Sequence, residues 1–374
     1  MKKTSFIVLL IFCFSAYLTA QQKPTKSELI SIIQKVNDYW QNTHTDPGNP
    51  FWDNAAYHTG NMEAYYITKD EAYRRYSEKW AEQNSWKGAT SDDKSKWKYV
   101  YGEKPEYVLF GDWQICFQTY ADLYNLSPES KKIARAREVM EYEMSTPNND
   151  YWWWADGLYM VMPVMTKMYK ITGNPLYLEK LHDYFLHAKS IMYDPKTRLF
   201  YRDAKYVYPK HKSANDKKDF WARGDGWIFA GLAKVLQDLP KDYKYRSLFE
   251  QHYREMAKAI IKYQQNEGYW TRSMLDPQHA PGYETSGTAF FTYGLLWGIN
   301  NGYLKEKKYL PAAMNGWKYL STVALQPDGK VGYVQPIGEK AIPGQVVDAN
   351  STANFGVGAF LLAASELAQF ADKK

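Results

Sequence analysis

From residue 24 onward, apolar positions recur at helical spacing almost without a break, and no stretch alternates in the manner of a half-buried strand. The pattern predicts twelve helices of two kinds. Charged amphipathic segments lie near 26–41, 69–86, 129–145, 175–193, 241–265 and 306–323. Aromatic or small-residue segments lie near 53–67, 112–125, 151–172, 220–238, 284–302 and 352–371, and these are apolar all round, as helices buried on most sides are. The two kinds are joined by recurring punctuation: Ile67-Thr68-Lys69-Asp70, Ile171-Thr172-Gly173-Asn174-Pro175 and Asn301-Gly302-Tyr303-Leu304. Gly or Asn closing one helix and Pro opening the next is the expected chemistry of such joins. The result is a degenerate repeat of roughly 50–60 residues. Six outer and six inner helices predict an all-α fold, an (α/α)6 barrel, formed by a single domain over 21–374. The long connections at 87–111, 194–219, 266–283 and 324–351 are rich in Tyr, Trp, Gly and Pro, and are expected to frame one mouth of the barrel.

The N-terminus changes this picture for the first 20 residues. Lys2 and Lys3, the apolar run Phe6 to Phe14 and the small-residue site Leu18-Thr19-Ala20 read as a secretory signal, too short in its apolar part to span a membrane. The destination expected is a bacterial periplasm, with no membrane insertion once the signal is removed. Of the two cysteines only Cys116 would remain, which excludes an intramolecular disulfide in the mature chain. The formal charge of +6 falls to about +4 without Lys2 and Lys3. So mild and dispersed a charge argues against a nucleic-acid partner and suits a small anionic ligand. Aromatic residues make up 17% of the chain, enough to wall a sugar site as well as to build a core.

The most aromatic stretch, YWWWADGLYM at 151–160, holds a carboxylic acid. Burial there should raise the pKa of Asp156, and a carboxyl kept protonated near neutrality can donate its proton to a substrate. Asp150 is expected to cap this helix, which would put Asp156 inside it, although a capping role for Asp156 itself is the structural alternative. Asp112, in FGDWQICFQTY beside Trp113, reads either as a helix cap or as a second carboxylate facing Asp156. In DFWARGDGW at 219–227, Asp219 is expected to cap a helix that carries Arg223 and Trp227 on one face. Arg223, among Trp221, Trp227 and two glycines, is either stacked structurally or placed to grip an anion. Tyr57 and His58 are further candidate ligand contacts at the start of the first inner helix, although a lone histidine is more often a satisfied surface or core residue, and Trp113 and Trp153 are candidate contacts beside the two aspartates. Glu284, Thr285 and Ser286 read as capping and first-turn residues, and Asn350-Ser351-Thr352 as a cap. Phosphate-binding glycine loops, dinucleotide fingerprints, zinc spacings and serine nucleophile elbows are absent. What remains is carboxylate acid–base chemistry on a carbohydrate, with no metal or organic cofactor implied.

These residues resemble a known family, the unsaturated rhamnogalacturonyl hydrolases of glycoside hydrolase family 105, related to the unsaturated glucuronyl hydrolases of family 88. The resemblance spans the mature chain. It rests on WWADGLYM around Asp156, WARGDGW at 221–227, TSGTAFFTYGLLWGINNGYL at 285–304 and GVGAFLLAASE at 356–366. It implies an (α/α)6 barrel acting on lyase-generated oligosaccharides that end in a Δ4,5-unsaturated uronate; a monomer or weak homo-oligomer is the expected assembly. It further implies hydration of the C4=C5 bond, with Asp156 as general acid/base, Asp112 as the second aspartate, and Trp221, Arg223 and Trp227 on a substrate-contacting helix. The chain departs from the family where many members carry a histidine: here stand Arg202 and Asp203, followed by an insertion that holds His211. Two other readings are consistent with the residues, an inverting (α/α)6 glycosidase acting on a saturated sugar and a non-catalytic carbohydrate-binding protein.

Overall fold

The computed structural model describes residues 23–373, so the secretory signal read from the first 20 residues lies outside the described residues. Twelve α-helices are present among the described residues, each where the apolar periodicity places one. The inner six are α2 (Trp52–Thr68), α4 (Cys116–Leu126), α6 (Ala155–Thr172), α8 (Ala222–Asp238), α10 (Thr285–Asn300) and α12 (Asn354–Asp372). The outer six are α1 (Lys26–Thr43), α3 (Glu71–Gln83), α5 (Lys131–Ser145), α7 (Leu176–Met192), α9 (Arg246–Ile260) and α11 (Glu306–Tyr319). Each inner helix packs on the next, and α12 packs on α2 to close the ring of an (α/α)6 barrel. One short hairpin, β1 (Tyr193–Asp194) with β2 (Leu199–Phe200), pairs antiparallel after α7.

Closure depends on small residues where the ends of the chain meet. A Cβ on Gly60 of α2 would lie 2.2 Å from the carbonyl oxygen of Gly358 on α12, and one on Gly358 would lie 2.4 Å from that of Ala56. The two backbones are therefore in contact, and no side-chain rearrangement can make room. Gly60→Ala is expected to destabilise the fold by about 1–3 kcal/mol through overpacking, read as a lower urea midpoint at unchanged m-value.

Local chemistry explains several boundaries. Gly173 ends α6 in the left-handed conformation (φ 71°), and Asp70 caps α3 by accepting from the Ala72 amide at 2.9 Å. Glu284 caps α10 as expected, accepting from the amides of Ser286 at 2.9 Å and Gly287 at 2.7 Å.

Four expected caps are not caps. Residues 151–154 are not helical, with Trp154 extended, and α6 begins only at Ala155, so Asp150 is remote from the helix end and accepts instead from the Tyr99 hydroxyl. The cause is tertiary: Trp154 bridges Asp203, and the Ala155 amide donates to the Arg202 carbonyl at 2.7 Å. Asp219 likewise precedes α8 without capping it and is held by the Ser273 hydroxyl at 2.6 Å. Asp112 belongs to a 3-10 turn (Gly111–Trp113) ahead of α4. Asn350, Ser351 and Thr352 lie before α12, whose cap position is Ala353, and Asn350 accepts from Lys330.

Candidate active site

A cavity of about 670 Å³ opens at the barrel end where the inner helices begin. Its wall comes from the starts of α2 (Trp52, Asp53) and α6 (Asp156, Met160), from the 3-10 turn (Asp112), and from loop residues Tyr101, Glu103, Arg202, Lys205 and Glu339. Met160 lies one turn deeper on α6 than Asp156, so the cavity reaches down into the mouth of the ring. Helix N-termini converging on a cavity favour an anion there.

Both predicted carboxyls line this cavity. The Trp154–Asp203 bridge and the hydrogen bond from the Ala155 amide to the Arg202 carbonyl hold Asp156 in the first turn of α6. Gly111 lets the 3-10 turn press against the same helix, since a Cβ there would lie 2.9 Å from the Val161 side chain and 3.1 Å from the Trp154 ring. Trp154 stacks on Phe110 at 4.9 Å, and Trp153 lies against Trp154 at 4.7 Å, which completes an indole wall beside the acids. Trp153 itself faces the cavity.

The environments of the two carboxyls differ. Burial raises the pKa of Asp156, opposed by the positive charges of Arg202 and Arg223. The Arg202 Nε–H donates to Asp156 Oδ2 at 3.3 Å. Burial pushes Asp112 well above the usual carboxylate range, and the charge of Asp156 pushes it further, against the pull of Arg202. Asp112 Oδ1 is buried and finds no hydrogen-bond partner among the described residues. Burial thus favours the neutral form of both carboxyls, and at Asp156 the charges of Arg202 and Arg223 oppose it.

Arg202, which sequence reasoning marked only as a departure from the family, is a central side chain of the site. Besides Asp156 it binds Asp203 at 2.7 Å and Glu339 at 3.1 Å, and its guanidinium lies 5.9 Å from the Trp153 ring. Asp53, Glu103, Lys205 and Glu339 were also missed, because they come from loops or helix ends with no periodic signature.

The other predicted contacts lie elsewhere. Trp113 lines a smaller neighbouring cleft, which shares Asn49 and Glu103 with the cavity. Tyr57 and His58 face the outer helices: the Tyr57 hydroxyl donates to Asn37 at 2.5 Å, and His58 bonds Ser77 at 2.9 Å and stacks on Trp80. Burial lowers the His58 pKa to about 3, which keeps the ring neutral. Trp227 is wholly buried in the barrel against Phe290 and Tyr159. Trp221 donates to Gln335 at 2.8 Å. Arg223 is stacked between Trp221 and Phe355, with its N–H groups on the carbonyls of Gln335 at 2.6 Å and Pro336 at 2.9 Å. It thus ties the loop before α12 to the start of α8. Burial lowers its pKa to about 10, so it stays charged behind Asp156 at neutral pH. Among the described residues no group of side chains forms a metal site, and Cys116 is free and buried.

Comparison with known proteins agrees with this architecture. The family model described as Glycosyl Hydrolase Family 88 matches residues 26–371. An unsaturated 3S-rhamnoglycuronyl hydrolase of Formosa agariphila is 34% identical, over 98% of this chain and 97% of that protein. A solved glycosyl hydrolase family 88 protein from Bacteroides vulgatus is 63% identical, with a TM-score of 0.91 over 93% of this chain and 100% of that one. A solved protein named polysaccharide lyase BACCELL_00875 is 70% identical, with a TM-score of 0.92 over 93% of this chain and 99% of that one.

Proposed function

The chain belongs to glycosyl hydrolase family 88, and on that footing we propose that it removes the terminal Δ4,5-unsaturated uronic acid from lyase-generated oligosaccharides by hydrating the C4=C5 bond. The observation that carries this reading is the pair of buried carboxyls, Asp112 and Asp156, set against an indole wall in a pocket with a cationic side. An apolar sugar face meets the indoles, and the uronate charge is matched by Arg202 and by the converging helix N-termini.

Asp156 in its protonated form delivers its proton to C4, and positive charge develops at C5 beside the ring oxygen. Water adds at C5 and gives its proton to the Asp156 carboxylate, which restores the acid. The C5 hemiketal opens to a ketone, leaving a hemiacetal at C1 that expels the leaving sugar. Protonating carbon requires an undissociated acid held close to it, and burial of Asp156 favours that form. Asp112, with its unpartnered oxygen, is placed to hold the water or a sugar hydroxyl. The apolar N-terminal run supports export to the periplasm, and among the described residues no helix is long and apolar enough to cross a membrane.

The name of the 70%-identical lyase raises a second reading, elimination in place of hydration. The two are opposite in one measurement, because elimination creates the conjugated enoate and hydration consumes it. Incubated with unsaturated disaccharides from several lyases, the protein is expected to lower the enoate absorbance. A rise with intact uronate polymers, or cleavage of saturated glycosides alone, would refute the hydration reading.

A further inference from the structure

The cationic side of the cavity already holds an anion, and it belongs to the protein. The Arg202 Nη1–H donates to Glu339 Oε2 at 3.1 Å, and Lys205 Nζ donates to the same oxygen at 3.0 Å. Glu339 is 137 residues away from Arg202 in sequence, on the connection between α11 and α12, next to the exposed Ile337.

Arg202's two outer carboxylate partners are of different kinds. Asp203 is buried, accepts from the Lys205 amide at 2.7 Å, and sits in the bridge that positions Trp154. It is a fixed part of the scaffold. The Glu339 side chain is 44% exposed and is held by the two cations and by a hydrogen bond from the Tyr206 hydroxyl. The Lys205–Glu339 pair is exposed on both sides and contributes little net stability, and the Glu339 carboxylate is open to solvent, so an incoming anion can take its place on Arg202 by exchanging one carboxylate for another. An uncompensated cationic wall would instead leave Arg202 free to pair fully with Asp156 and hold it ionised.

From this arrangement the geometry points to a displaceable anion site: Arg202 and Lys205 receive the acidic substituent of the sugar, and Glu339 is the resident carboxylate that it replaces. The inference rests on the reading of the cavity as a site for an anionic sugar and adds the residues that select for the charge. It also gives the departure at Arg202 a purpose, since a planar guanidinium accepts a carboxylate or a sulfate ester where a neutral imidazole would not. A purely structural role for Glu339, pinning the loop over the cavity, makes the opposite prediction for its removal: binding should weaken as the loop loosens.

Calorimetric titration with D-glucuronate, which cannot turn over, separates the two. Glu339→Gln is expected to bind glucuronate about three- to tenfold more tightly than the wild type, and Lys205→Met more weakly by a similar factor. Binding of neutral D-glucose should be the same in all three proteins. Inorganic sulfate as competitor tells a site open to sulfate esters from one restricted to carboxylates. Equal or weaker glucuronate binding by Glu339→Gln would overturn the proposal, as would a gain shared by glucose. Because no turnover is involved, a wild type inert on unsaturated disaccharides would defeat the hydrolase reading while leaving this result to stand or fall separately.

Discussion

Asp156→Asn is expected to lower kcat by about 10²–10⁴-fold, the usual contribution of a positioned acid–base group, with substrate binding retained. The amide keeps the shape of the side chain and its place in the first turn of α6, but it has no proton to give to carbon. Single-turnover kinetics with calorimetric affinity on the same variant would separate the two quantities. A binding protein without catalysis predicts no functional loss at all. The pH profile carries a related sign. If Asp156 acts as the proposed acid its reactive form is protonated, so activity should fall as pH rises through its pKa, which burial raises and Arg202 and Arg223 restrain. A bound uronate adds a negative charge near Asp156 and occupies Arg202, and both effects favour the neutral acid. The alkaline limb of kcat should therefore lie at higher pH than that of kcat/KM, since the first reports the complex and the second the free enzyme. Coincident limbs would show that the substrate does not arm the acid.

Much of the scaffold is legible in the chain because it is written in local, periodic terms. Each inner helix announces itself by burial on all sides and each outer one by a charged face, and Gly173 or Asp70 marks where one ends or another begins. Asp112 and Asp156 were legible for a different reason: a carboxyl within an aromatic run needs an explanation that a core cannot supply. What was not legible is non-local. The tryptophan run 151–154 has the composition of a helix, yet it lies outside α6 because its partners, Arg202 and Asp203, come only after two intervening helices, α6 and α7. That pairing moved the start of α6 to Ala155 and stripped Asp150 of its expected cap. Arg223 shows the converse. Its aromatic neighbours were visible, but not the carbonyls of Gln335 and Pro336 that occupy its N–H groups. The arginine that lines the cavity is Arg202, whose pairing with Glu339 spans 137 residues and leaves no pattern in the sequence.

Asp112→Leu should weaken catalysis and strengthen the fold at the same time. The side chain is nearly fully buried, its Oδ1 has no donor among the described residues, and it caps no helix. A polar group buried without a partner costs about 1–3 kcal/mol, and an apolar side chain of similar volume recovers part of that. The gain should depend on pH in a definite direction. The folded-state pKa of Asp112 is raised far above its unfolded value, so the wild type is most stable below the unfolded pKa and loses stability as pH rises toward the folded one. Leucine does not titrate, so the advantage of the variant should be smallest near pH 3 and grow toward neutrality. Turnover should nevertheless fall by about 100-fold or more, because the carboxyl proposed to hold the water or a sugar hydroxyl would be gone. Urea unfolding at several pH values, set beside kcat, tests both halves. A capping or structural aspartate would give the reverse outcome, a loss of about 0.5–2 kcal/mol with activity following stability. A variant that gains stability and loses turnover together would support the proposal that the chemistry uses both carboxyls.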